Sequence, residues 1–462
     1  MFDLAIVGAG PAGMAAATLA SELGLTTVLL DEQPGPGGQI YRNVEHAPAG
    51  SPLGADYVPG RALAASLRAS KAAYRPATTV WHIAADGDDG AVVSVLADGR
   101  SDTVAARYVL LATGAIERPV PIPGWTLPGV MTAGAAQVLL KTADLVPDGR
   151  TVVAGQGPLL YLVALQLARA GAPPAAVLET TPHSNYHAGT RHLVAGLVGW
   201  RDLAKGLRLL FDLRRAGVPI RRRVRGLRAT GRDRLQSVAW DAGEMAADYL
   251  LLHEGVIPNT QISLGLQLQH RWDEAQLCWH PVVDDWGRAS IPNIWIAGDG
   301  AGILGAEAAA LSGRLAALGI AAAVGHIDTD ERDRRAAPIR VHLRRRAAIR
   351  PLLDALYRPG PGLIDPADEV IVCRCEEVTA LQIRHAVHLG ATGPNQVKAF
   401  TRCGMGPCQG RMCGPVVAGV IAAARGVPID TVGTYRPRAP YKPITVGALA
   451  ALGDDDGAKT AL

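Results

Sequence analysis

Leu4-Ala5-Ile6-Val7-Gly8-Ala9-Gly10-Pro11-Ala12-Gly13 decides the fold, read together with the small-residue stretch to Leu23, Gly24, and Thr26–Leu30 followed at once by Asp31 and Glu32. The apolar run reads as a buried strand, and the glycine turn behind it opens a helix. Gly8 permits the sharp turn, Gly10 lets the backbone approach a pyrophosphate, and Gly13 lets helix and strand pack closely. Pro11 and Ala12 complete the turn, and the helix N-terminus faces the anionic phosphates. Gly24 ends the helix with a left-handed cap. The second strand ends at the acid expected to bond ribose hydroxyls, Asp31, with Glu32 as the alternative and Gln33 beside them. Strand, turn, helix and acid are in register, so a dinucleotide site is expected.

Further along, residues 75–110 read as a small β-meander, with turns at Asp86–Gly90 and Asp98-Gly99. The strand Tyr108–Leu111 ends in Ala112-Thr113-Gly114. Ile294–Ala297 is another strand, leading to Gly298-Asp299-Gly300 and a helix over Ala306–Val324. An aspartate there can hydrogen-bond a ribityl hydroxyl, and the helix N-terminus can face the pyrimidine edge of a flavin.

Between these pieces lies a second unit of the same kind. Thr151–Ala154 is its strand, Gly155-Gln156-Gly157-Pro158 its turn, and Leu159–Ala170 its helix. Leu160 stands where the third glycine belongs, which keeps helix and strand farther apart or moves the turn away from a phosphate. Glu179 ends the next strand and can meet a ribose 2′-hydroxyl. No arginine follows closely, which argues against a 2′-phosphate. Two readings stay open: a scaffold whose site has decayed or changed ligand, or a site for NAD or another adenine nucleotide.

The fold expected is α/β, with two Rossmann-like dinucleotide-binding domains, the second inserted in the first. The first covers 1–117 and 285–326, the second 118–284. A helical linker over 327–366 leads to a cysteine module over 367–425 and a tail over 426–462, whose last residues, with Asp454-Asp455-Asp456, are expected to be disordered.

Composition narrows the function classes. Of 462 residues, 48% are hydrophobic and 19% charged, a balance that excludes a disordered or fibrous chain. A net charge of +4 gives no reason to expect nucleic-acid binding. The apolar runs at Leu315–Val324 and Val416–Ala424 are short against the roughly 20 residues of a membrane span. No targeting signal is read at the N-terminus. A cytoplasmic protein is expected, with peripheral contact to the inner membrane left open. The Arg332–Arg350 run reads as a solvated helix face before a docking surface. His183, His187 and His192 are too irregularly spaced for a ligand set.

Five of the six cysteines, Cys373, Cys375, Cys403, Cys408 and Cys413, fall within one short region. Cys373-Arg374-Cys375 and Cys403-Gly404-Met405-Gly406-Pro407-Cys408 supply four thiolates, enough for a [2Fe-2S] cluster. Structural zinc more often uses CxxC in both halves, so iron–sulfur is preferred and zinc is kept as the rival. Pro407 suits a first helical position, which would aim a helix N-terminus at the cluster. Cys413 reads as a core thiol.

The order of the turns resembles flavoproteins of the thioredoxin reductase and ferredoxin reductase type over about residues 1–325. The resemblance implies FAD at the first turn, with Gly37-Gly38-Gln39 as the stretch passing the flavin, so Gly38 and Gln39 join the site. Disulfide reductases of that architecture need a CxxC pair beside the flavin, and residues 1–277 contain no cysteine.

The segments Cys373-Arg-Cys-Glu-Glu-Val-Thr and Thr401-Arg-Cys-Gly-Met-Gly-Pro-Cys-Gln-Gly-Arg-Met-Cys-Gly resemble the bacterioferritin-associated-ferredoxin-like [2Fe-2S] domain. They look most like the version fused to the A-type component of opine oxidases and hydroxyproline dehydrogenases; the B-type component of hydrogen cyanide synthase is also similar. Asp31-Glu-Gln, Gly37-Gly-Gln-Ile-Tyr-Arg42 and Tyr435-Arg-Pro-Arg-Ala-Pro-Tyr-Lys-Pro443 fit the same group. The resemblance implies a heteromeric, dye-linked dehydrogenase. Its FAD-dependent beta subunit oxidises an amino or imino acid, a small third subunit is allowed, and this chain relays electrons to a downstream acceptor. The physical logic is one of number: substrates give electrons in pairs, a [2Fe-2S] cluster carries one, and a flavin handles both. Two alternatives remain: an NADH-dependent flavin reductase serving a ferredoxin-like acceptor, and an iron–sulfur binding or assembly component. The substrate-oxidising residues are not identifiable in this chain.

Overall fold

The computed structural model describes residues 1–48, 50–85 and 90–453. The Asp86–Asp89 part of the first expected turn and the terminal Asp454–Asp456 stretch lie outside the described residues. Phe2–Val7 runs parallel between Thr27–Leu30 and Arg100–Leu111, with Ala73–Arg75 at the edge beyond Thr27–Leu30. Arg100–Leu111 is long because it serves two sets of partners. Its first half pairs antiparallel with Ala91–Ala97 of the meander, and its second half pairs parallel with Phe2–Val7 and Ile294–Ile296. The chain leaves this sheet after Leu111 and returns at Ile294.

The residues between build a second parallel sheet in the order Ile220–Arg221, Ala176–Glu179, Thr151–Gln156, Tyr249–Glu254, Val130–Thr132. Its strands read as unbroken apolar runs because both faces are covered, one by helices Pro158–Arg169 and Trp200–Arg215, the other by the antiparallel strands Arg228–Thr230, Ser237–Trp240 and Gly243–Ala246. A two-stranded ribbon, Ala115–Glu117 against Val256–Pro258, ties the crossover together.

Helix Pro11–Glu22 packs against Ala306–Val324, closely enough that a Cβ on Gly313 would strike the Ala12 carbonyl. Ala306–Val324 is the one described helix long and apolar enough to cross a membrane. Alanines at 308, 309, 316, 317 and 321, with Leu311, Leu315, Leu318 and Ile320, bury it in the core instead. The apolar stretch is therefore longer than the run at Leu315–Val324 indicated, because alanines extend it at its start.

The linker forms the helices Thr329–Ala347 and Arg350–Leu356. The arginine run is only partly a solvated face: the Arg332 and Arg340 guanidinium groups lie 4.3 and 4.2 Å from the Trp286 ring centroid, a cation–π sandwich. The cysteine module pairs Ile371–Cys373 with Val378–Thr379 and surrounds them with helices Ala380–His388, Pro394–Thr401 and Gly414–Arg425. Thr379 opens the first of these with a capping box to Gln382. Residues past 425 return to the module, where Tyr435 is buried among its core residues.

Candidate flavin and cysteine sites

Gly8 holds φ +104°, and a Cβ on it would come 2.6 Å from the Ala112 carbonyl oxygen. Gly13 lies directly on the Gly8 carbonyl. Gly10 is different: a Cβ there would meet only Gly38 Cα, at 3.9 Å, so the face of the turn is open. The Gly37 N–H donates to the Ala9 carbonyl at 2.8 Å, laying the Gly37-Gly38-Gln39 loop beside the turn.

Asp31 is 6% exposed. Its carboxylate accepts from the Ala9 N–H and, at 2.7 Å, from the Gln33 N–H. Burial pushes this carboxyl above its ordinary value, against the pull of the two amides. Asp31 thus braces the glycine turn from below. Glu32 turns outward and pairs with Lys442 at 2.9 Å, which places it away from the turn.

The other expected segments converge on the same crevice. The Ala112 N–H donates to the Val7 carbonyl, and the Asn259 N–H to the Gly114 carbonyl, each at 2.9 Å. Thr113 Oγ1 donates to the Asn259 carbonyl at 3.3 Å. Gly298 sits against Ala12, and Asp299 Oδ1 accepts from the Leu304 and Gly305 N–H groups at 2.9 and 3.0 Å. Burial raises the Asp299 carboxyl as well. All these residues stand outside the carboxyl ends of the parallel strands, where open α/β sheets bind ligands. The open face at Gly10 and the buried Asn259 Oδ1, which has no hydrogen-bond partner, fit an FAD: room for its pyrophosphate and a free acceptor for a polar edge.

Lys141 was not foreseen. It is 7% exposed, and its Nζ donates to the carbonyls of Gln39 and Ile40 and to Gln137 Oε1 at 2.9–3.0 Å. Gln137 Nε2 continues to Gln166 Oε1, and Gln166 Nε2 to the Leu53 carbonyl. The chain of bonds clamps the 39–53 segment to the inserted domain. Burial, with Arg42 nearby, lowers the Lys141 ammonium to about 7. The only hint in the sequence was three polar residues on otherwise apolar helices.

At the second glycine turn, Leu160 is fully buried in the domain core. Glu179 is 2% exposed; its Oε1 accepts from Tyr186 Oη at 2.6 Å, and Arg222 pairs with it at 3.4 Å. His253 Nδ1 meets Glu117 Oε1 at 2.6 Å.

Around the cysteines the structure departs from expectation in two ways. The helix following the thiols starts at Gly414 with Pro415 in its first turn, not at Pro407. Gln409 and Gly410 hold positive φ and prevent an earlier start. Cys413 therefore occupies the N-cap, and its sulfur joins those of Cys373 and Cys403, all within 4.8 Å of one another and buried. Cys413 is a buried thiol as expected, but one placed with the others. Cys375 and Cys408 form a second, outer pair with sulfurs 3.9 Å apart. The Gly404 N–H donates to Cys373 Sγ at 3.4 Å, and Tyr435 Oη to the Cys403 carbonyl at 2.9 Å. This module docks on the flavin crevice: Arg411 Nη1 donates to Gln261 Oε1 at 2.9 Å, two residues after Asn259.

Comparison with known proteins agrees with this geometry. Residues 2–317 match the model of the pyridine nucleotide-disulphide oxidoreductases. The A-type component of opine oxidase from Agrobacterium tumefaciens (strain Ach5) is 44% identical over 98% of this chain and 92% of its own length. The chain belongs to this oxidoreductase family, alongside the A-type opine oxidase components. As a family member it is an FAD-dependent oxidoreductase. The HcnB component of hydrogen cyanide synthase from Pseudomonas aeruginosa is 36% identical over 97% of this chain and 98% of its own length. Residues 368–453 match the sarcosine oxidase A3 domain, so the family resemblance runs through the cysteine module and well past residue 425. Among solved structures, L-proline dehydrogenase from P. horikoshii shares the fold, with a TM-score of 0.72, 20% identity and coverage of 97% of this chain and 79% of that one.

Proposed function

We propose that this flavoprotein is the electron-relaying subunit of a heteromeric amino- or imino-acid dehydrogenase. An FAD-dependent beta subunit oxidises the substrate, and this chain passes the electrons to a downstream acceptor. Gly8, Gly10 and Gly13, with Pro11 and Ala12, would hold the FAD pyrophosphate and Asp31 the adenosine ribose. Gly38, Gln39, Ala112–Gly114, Gly298 and Asp299 would line its remaining length. Bound together, FAD and a [2Fe-2S] cluster supply two-electron and one-electron chemistry respectively.

The cysteines fit a cluster because a buried trio, Cys373, Cys403 and Cys413, lies within 4.8 Å and the outer pair, Cys375 and Cys408, has its sulfurs 3.9 Å apart. Cys373, Cys375 and Cys408 are three of the proposed ligands. Either Cys403 or Cys413 lies close enough to be the fourth. Its place at the N-cap of Gly414–Arg425 favours Cys413 as the ligand, although hydrogen bonds with Cys373 and Cys403, with burial, hold its unligated thiol well above the ordinary value. Cys403 then backs the site.

The observation that carries the relay reading is the contact chain Gly114–Asn259, Gln261–Arg411, which puts the cysteine loop against the flavin crevice. Opine oxidase and hydrogen cyanide synthase are named by their subunits, which supports a partner. The test is the chain purified from its native host without added chelator. FAD, two irons per chain and a co-purifying flavoprotein are expected. Zinc in place of iron, or a chain that travels alone and oxidises NADH unaided, would end this reading.

A further inference from the structure

The linker does more than connect. Ile349, Leu352 and Leu356 point into the helices that follow Glu179, and each meets a glycine. A Cβ on Gly189 would lie 2.7 Å from Leu356 Cδ2, one on Gly196 2.9 Å from Leu352 Cδ2, and one on Gly199 would strike Ile349 Cδ1. Three absent side chains thus make three holes for three knobs, a fitted seat.

Polar contacts fix the segment's register. Asn185 Nδ2 donates to the carbonyls of Leu356 and Arg358 at 3.1 and 2.9 Å. Gln156 Nε2, from the middle of the second glycine turn, donates to the Tyr357 carbonyl at 3.3 Å. Just ahead of the segment, Arg346 pairs with Glu307 of the first domain at 2.7 Å, and within it Asp354 accepts from Gln276 Nε2 at 3.3 Å. The segment therefore crosses the carboxyl ends of the second sheet, the ground a dinucleotide needs on such a fold. Beneath it, Gln156 Oε1 and Thr181 Oγ1 are buried without hydrogen-bond partners, and Glu179 Oε2 is buried with only the long 3.4 Å ion pair to Arg222. Buried polar atoms normally have partners. Two orphans beside an under-satisfied carboxylate mark a groove built for a polar ligand and now covered.

We infer that residues 349–358 form a strap that fills the second dinucleotide groove and sets the donor specificity of the enzyme by keeping NADH from the flavin. Electrons then enter only from a partner. The strap needs FAD at the first site but not iron at the cysteines.

The experiment is anaerobic mixing of NADH with the flavin-loaded chain, followed by flavin absorbance and by NADH fluorescence. The wild type should show no bleaching and no saturable NADH binding. A double variant, Leu352→Ser with Leu356→Ser, should free the strap, raise its hydrogen exchange and bind NADH at least tenfold more tightly. If that variant loses its flavin, Asn185→Ala, which removes two strap bonds and leaves the seat intact, is expected to shift exchange and binding the same way. Flavin bleaching by NADH in the wild type overturns the strap, as does a freed strap with no gain in NADH binding. Iron content distinguishes the two proposals: an iron-free chain that ignores NADH sinks the relay and leaves the strap standing.

Discussion

Arg411, between Cys408 and Cys413, reaches out of the cysteine module and donates to the side-chain oxygen of Gln261. Gln261 in turn donates through Nε2 to the Tyr441 carbonyl at 2.7 Å. A single glutamine thus holds the thiol loop and the C-terminal segment to the flavin side of the molecule. Hydrogen bonds to charged groups contribute about 1.5–3 kcal/mol, enough to fix how the two proposed redox sites face each other. Gln261→Ala should leave flavin and iron content unchanged and slow electron passage between them by roughly tenfold or more, as small misplacements do. Stopped-flow absorbance at the flavin and cluster bands is the check, and an unchanged rate would count against the contact as the route's support.

Asp299 accepts from two amides just ahead of the helix Ala306–Val324. Asp299→Ala removes those two bonds, each worth about 1.5–3 kcal/mol for a charged acceptor, and removes the proposed ribityl partner. The variant should purify with less flavin per chain and melt lower. Full flavin content with only a lower melting temperature would assign Asp299 to the turn alone.

Serine scanning separates the thiols. Cys373→Ser, Cys375→Ser, Cys408→Ser and Cys413→Ser should each abolish the cluster's absorbance, while Cys403→Ser should keep it. Iron analysis decides the matter, and the reverse result at 403 and 413 would move the fourth ligand to Cys403.

Lys141 makes a pH prediction. Its folded value, lowered to about 7, lies below that of an unfolded lysine, near 10.4. Between the two, the unfolded chain binds more protons, so this group's contribution to stability rises with pH. Below about pH 7 the burial penalty is fully present. Against Lys141→Met, the wild type should therefore gain in relative melting temperature from pH 7 to pH 9. A constant difference would mean the three acceptors hold Lys141 charged throughout.

Local signals were legible and distant ones were not. Gly8, Gly13 and Asp31 act on neighbours set by the strand–turn–helix geometry, so their spacing alone marked the first glycine turn. The inserted second domain could be read because its strands repeat that grammar. The helix start at Gly414 was missed because positive φ at Gln409, a non-glycine residue, has no dependable sequence mark. The clamp from Lys141 to Gln39 and the seat of Leu356 on Gly189 join residues about 100 and 167 positions apart. One sequence without a fold cannot pair such residues.

Tyr435 has a consequence for biogenesis. Its ring fills the space left by Gly404 and Gly410, and it follows every cysteine in the chain. Synthesis must therefore run past the last of these cysteines to Tyr435 before the thiol pocket gains its inner wall. The proposed cluster would therefore be enclosed late, since a nascent chain stalled just past Cys413 lacks the ring that backs the thiols.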